Sequence, residues 1–122
     1  MTNATQSSAS RAMTLSPMLS VQNGARAAEF YKSAFGASEL FRIQADDGAV
    51  VAQLALGESN FWLADESPEN LNFSPDSLGG STARMVLVDN NPDALFARAV
   101  AAGARVVQPM EDQPYAAGIW GV

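Results

Sequence analysis

Three carboxylates fall close together near the middle of the chain, Glu58, Asp65 and Glu66, and side chains of this type can bind a hard cation or move a proton. A buried carboxylate can act as a general acid or base when burial lifts its pKa into the useful range. No pair of these acids has a spacing that requires either role, and acids at strand ends are ordinarily just solvated. What is missing restricts the chemistry more. The chain contains neither histidine nor cysteine, which removes the commonest general base, the commonest transition-metal ligand, thiolate sites and disulfides. Arg42 and Arg84 lie in strand-like runs, where each can pair with an acid across a sheet or orient an anionic ligand.

Charge narrows the partners. Thirteen acidic against seven basic residues give a formal charge of −6, with the basic residues scattered along the chain, so nucleic acid is not an expected partner. The acidity serves solubility, or else a cleft suited to a cationic ligand. No apolar run approaches the roughly 20 residues that span a bilayer, and the polar segment Met1–Ala12 lacks the apolar stretch of a signal peptide. A cytoplasmic protein with no membrane contact is expected. Residues 1–13 read as a disordered polar tail and 14–122 as one domain.

The elements that position these side chains follow from periodicity. Leu15 to Val21 alternates with period two, as a half-buried strand does. Asn23 can cap a helix whose face is Ala27, Phe30, Tyr31, Ala34 and Phe35, ended by Gly36. That aromatic stripe is expected to pack on the sheet. Strands are predicted near Glu39–Ala45, Ala49–Leu56 and Asn60–Ala64, joined at Asp46-Asp47-Gly48 and Gly57-Glu58-Ser59. A loop rich in Ser-Pro and Gly-Gly follows. A second pattern then begins, with a strand predicted at Ala83–Asp89, a helix opened by Asn91-Pro92-Asp93 and closed by Gly103, a strand near Arg105–Gln108, a loop over Met110–Gly118 and a strand starting at Ile119. Val21, Asn23, Ala27, Ala34, Gly36 and Ala37 recur 67 residues later as Val88, Asn90, Ala94, Ala101, Gly103 and Ala104. A repeat at a fixed offset outranks local motifs in setting a fold.

The paired pattern, with Glu29-Phe30-Tyr31-Lys32-Ser33-Ala34-Phe35-Gly36-Ala37 in the first copy and Phe96-Ala97-Arg98-Ala99-Val100-Ala101-Ala102-Gly103-Ala104 in the second, resembles the vicinal oxygen chelate superfamily. That superfamily holds glyoxalases, dioxygenases and bleomycin resistance proteins, and the segments above and Leu56-Gly57-Glu58-Ser59 resemble its PhnB-like branch. The resemblance implies an α+β fold of two βαβββ modules, over residues 14–66 and 81–122 with a linker at 67–80, the second lacking its last strand in this sequence. It also implies metal-ligand positions at Ser16, Trp62 and Ala83. None of the three side chains suits a divalent ion, so neither a metal nor another cofactor is expected, and no catalytic residue is assigned.

With those positions uncharged, the sheet faces turned away from the helices are expected to line an apolar cup. Parity selects Met18, Gln53, Trp62 and Met85, and the second module adds Tyr115 and Trp120. The expected function is that of a homodimeric small-molecule-binding protein similar to bleomycin resistance proteins. It would sequester an aromatic or cationic ligand, as in antibiotic resistance. The alternative is a metal-dependent lyase, isomerase or dioxygenase with ligands partly outside this sequence.

Overall fold

Asn23 opens the first helix by accepting the Arg26 N–H on its side-chain oxygen at 3.0 Å, the N-cap bond its sequence position predicts. The computed structural model describes residues 12–108, 110–113 and 116–119. Its first half runs β1 (Met18–Val21), α1 (Gly24–Phe35), β2 (Ser38–Gln44), β3 (Val50–Leu56) and β4 (Ser59–Asp65). Gly36 closes α1 at φ 72°, and the N–H groups of Gly36 and Ala37 return to the carbonyls of Lys32 and Tyr31. Only a residue without Cβ takes that left-handed turn cheaply.

The four strands form one sheet in the order β1-β4-β3-β2. β1 lies parallel to β4, with Met18 beside Trp62, while β3 runs antiparallel to both β2 and β4. A parallel neighbour needs a crossover, and α1 supplies it. One face of the sheet packs on α1 through Val50, Ala52, Leu54, Phe61 and Leu63, all buried. The helix meets it mainly through small residues. Ala28 is fully buried, Ala25 and Ala27 pack beside it, and Tyr31 stands edge-on to Phe61 with ring centroids 5.1 Å apart. The expected aromatic stripe is thus split: Tyr31 reaches the sheet, whereas Phe30 lines a groove bounded on its far side by Ala102 and Gly103. Small side chains let the helix approach the sheet closely, and the larger rings move to its flanks.

At the β2 edge, Glu39 accepts two hydrogen bonds from Arg42, and Lys32 joins it at 2.9 Å. Arg42 therefore pairs with acids on its own strand and, through Glu29 at 3.9 Å, on α1. The Arg42 guanidinium first, and then Lys32, hold the Glu39 carboxyl down at about 2. A depressed carboxyl adds stability above its unfolded pKa and loses it as pH falls toward the folded value. Glu39→Gln should therefore be less stable than the parent at about pH 6, and the two urea midpoints should converge as pH drops from about 4.5 to 2. The gap should be small because solvent reaches the whole cluster.

The second half departs from the predicted repeat. The segment after β4 holds a 3-10 turn (Pro68–Asn70) and a single helical turn α2 (Pro75–Leu78), with Glu66 accepting the Ser74 N–H and the Ser77 hydroxyl. The helix α3 (Pro92–Ala101) is capped by Asn91 as predicted and packs on α1, where Arg98 donates to the Ser33 carbonyl at 2.8 Å. Residues 83–89 are exposed and form no strand, and neither do residues 105–108. Both were expected as strands, but no neighbouring strand among the described residues offers either a ladder, and an unpaired strand is not stable in water. Within the loop expected over Met110–Gly118, two short strands, β5 (Glu111–Gln113) and β6 (Ala116–Ile119), instead pair antiparallel.

Candidate functional site

The face of the sheet opposite α1 carries a row of side chains set by register. Met18 on β1 is beside Trp62 on β4, Trp62 is opposite Gln53 on β3, and Gln53 is opposite Phe41 on β2. Each residue shares its face with those two positions away on its strand, so the row is bracketed by Ser20, Ala64, Val51 and Ile43 on one side. The Phe41 ring stands edge-on to the Trp62 indole, with centroids 5.9 Å apart at 66°. Such pairs favour this geometry because the positive edge of one ring meets the negative face of the other.

On the other side of the row lies a polar trio. Ser16 donates its hydroxyl to Asn60 Oδ1 at 2.8 Å, and Gln53 Nε2 donates to the same oxygen at 3.1 Å. Beyond Met18, an open cleft of about 480 Å³ runs between β1 and the segment that follows β4. Phe73, Pro75 and Leu78 wall it on one side and Ala83 on another.

The nearby acids are already engaged. Asp65 Oδ1 accepts the N–H groups of Gly24 at 3.1 Å and Val50 at 2.8 Å, tying the start of α1 to the start of β3. The Ser74 N–H, followed by the Ser77 hydroxyl, holds the Glu66 carboxyl below its usual range. These carboxylates organise backbone rather than face the row.

Of the residues predicted to line a site, the structure brings together Met18, Gln53 and Trp62. Met85 is 51% exposed in the segment without strand structure and is not among the residues that wall the cleft. Tyr115 and Trp120 lie outside the described residues. Phe41 was missed, although the Asp46-Asp47-Gly48 hairpin, which pairs Gln44 with Val50, already sets Phe41 opposite Gln53.

The metal positions implied by the resemblance can be tested by their donors. The Ser16 hydroxyl is committed to Asn60, the Trp62 indole offers an N–H but no lone pair, and Ala83 offers a methyl group. This set does not fit a divalent ion. No group of three or more Asp, Glu, His or Cys is gathered elsewhere among the described residues.

The model of the Glyoxalase/Bleomycin resistance protein/Dioxygenase superfamily matches residues 14–119. An uncharacterised protein of Mycobacterium bovis is 39% identical over 111 residues, covering 88% of this chain and 70% of its own length. A Mycobacterium tuberculosis protein matches equally well, and the chain spans 62% of it. Among solved structures, a gene product of Arabidopsis thaliana is 28% identical with a TM-score of 0.60, covering 84% of this chain and 78% of its own. TioX from Micromonospora sp. ML1 is 27% identical with a TM-score of 0.59, covering 85% and 81%. A PhnB protein from Bacillus cereus, 22% identical with a TM-score of 0.58 over 87% of each chain, shares the fold.

Proposed function

The chain belongs to the glyoxalase/bleomycin resistance protein/dioxygenase superfamily, and on that footing we propose that it binds a small aromatic molecule and sequesters it without transforming it. The observation that carries this reading is the row Met18–Trp62–Gln53–Phe41 on the open sheet face. Two aromatic rings, a thioether and a carboxamide make an apolar platform with one polar handle, the composition of sites that bind planar organic ligands. The residues at the implied metal positions supply no ligand set, so binding rests on desolvation and stacking. Residues of the second half, including Met85, Tyr115 and Trp120, would complete the cup in the ligand-bound protein.

We also propose that the working form is a homodimer. The apolar run Met85–Val88 is exposed in the single chain, reaching 93% at Val88, and a second copy would shield it.

A thermal-shift panel of neutral and cationic aromatic compounds tests the proposal. At least one compound is expected to raise the melting temperature and quench tryptophan fluorescence, with the protein sedimenting as a dimer. A panel without any shift would count against binding. A stoichiometric divalent ion whose chelation lowers the melting temperature would instead support the metal-dependent enzyme of the same superfamily.

A further inference from the structure

The polar trio lies beside Trp62. Asn60 Oδ1 accepts from both the Ser16 hydroxyl and Gln53 Nε2, which fills its two lone pairs. Its Nδ2 meets no acceptor among the described residues. Gln53, having given an N–H to Asn60, presents Oε1 as an acceptor that likewise has no donor among them. The two hydrogen-bonded carboxamides therefore leave the Asn60 NH2 group as a donor and the Gln53 carbonyl as an acceptor, next to the Trp62 indole that pairs with Gln53 across the sheet.

The charge of this surface is equally defined. No open-face position on β1, β3 or β4 is ionisable, and the two carboxylates closing β4, Asp65 and Glu66, are held by backbone N–H groups and serine hydroxyls. A cation placed over Trp62 would gain the ring face but no counter-ion. A neutral ring carrying an adjacent N–H and C=O would satisfy both carboxamides while stacking on the indole.

Resting on the cup reading above, we infer that the site selects an uncharged planar aromatic ligand bearing a lactam or secondary-amide edge, whose N–H donates to Gln53 Oε1 and whose C=O accepts from Asn60 Nδ2. Ser16 is a positioning residue in this arrangement, since it acts by fixing the Asn60 amide. Sites built to pair a polar edge discriminate strongly against analogues lacking it, because their own buried groups are then left unpaired.

Calorimetric titration with 2-quinolone, N-methyl-2-quinolone and N-methylquinolinium tests the inference. The lactam is expected to bind about tenfold or more tightly than its N-methyl analogue, the loss corresponding to one hydrogen bond. Asn60→Asp, which keeps the acceptors for Ser16 and Gln53 but removes the donor to the ligand C=O, should weaken both quinolones alike with unchanged circular dichroism, whereas Gln53→Met, which removes the acceptor for the ligand N–H, should bring the two close together. Equal binding of the two quinolones by the parent, or a gap between them that survives in Gln53→Met, overturns the donor–acceptor inference and leaves the aromatic cup standing. Tightest binding of the quinolinium overturns it in favour of a cationic ligand. If none of the three binds although a compound of the thermal-shift panel does, the inference fails and the cup reading stands; if nothing in either set binds, both fail.

Discussion

Gly24→Ala is expected to lower the unfolding free energy by about 2–3 kcal/mol, measured by urea denaturation. A Cβ at this position would stand 2.6 Å from Asp65 Oδ1, 3.0 Å from the Val50 carbonyl and 3.2 Å from Val50 Cβ. Two of these atoms cannot retreat freely. Val50 is fully buried in the core, and Asp65 Oδ1 is the shared acceptor for the N–H groups of Gly24 and Val50. Pushing Asp65 aside breaks both hydrogen bonds, and shifting α1 outward opens its packing over Ala28, Val50 and Ala52. Alanine's better helix propensity offsets up to about 1 kcal/mol of this, so the loss is smaller than clash and hydrogen bonds together. In an Asp65→Ala background the same substitution should cost clearly less, because the two residues share one contact. A loss under about 0.5 kcal/mol in the parent would show that the helix start yields more readily than the geometry implies.

Trp62→Ala is expected to weaken ligand binding by about 30-fold or more while lowering the melting temperature of the free protein by only a few degrees, since a central aromatic anchor typically contributes about 2 kcal/mol or more to binding and an aromatic pair on an open sheet face about 1 kcal/mol to folding. The indole sits on the open face, against Phe41, and takes no part in the buried cluster beneath α1. Its neighbour Leu63 provides the contrast. Leu63 is fully buried on the other face, and Leu63→Ala should cost about 2–5 kcal/mol of stability. One step along β4 thus separates a residue for binding from one for folding. Titration of both variants with any compound found by the thermal-shift panel checks the division, and undiminished affinity in Trp62→Ala would remove the row from the site.

This parity was legible before any coordinates. Alternation along Val50–Leu56 and Asn60–Ala64 separates Gln53 and Trp62 from Leu54 and Leu63, and burial follows that separation. The caps were equally plain, because Asn23, Gly36 and Asn91 act on backbone groups within four residues of themselves. Residues 83–89 were less so. Met85, Val86, Leu87 and Val88 are a continuous apolar run, consistent with a buried strand, but a strand exists only where another pairs with it. The repeat spacing correctly located the second helix and overstated the strands around it.

By itself the sequence determined the β-α-β-β-β order of the first half, which side of each strand is apolar and buried, and the absence of imidazole and thiolate chemistry. These depend on composition, on periods of two and 3.6 residues, and on contacts between near neighbours. Only the tertiary structure decided that β1 lies parallel beside β4, which brings Met18 against Trp62 from 44 residues away, and that Ser16 and Gln53 converge on one Asn60 oxygen. It also decided that Asp65 is spent on two backbone N–H groups rather than turned toward a ligand. Pairing between distant strands is chosen by the crossover helix and the shared core, and no local pattern records which strands will become neighbours.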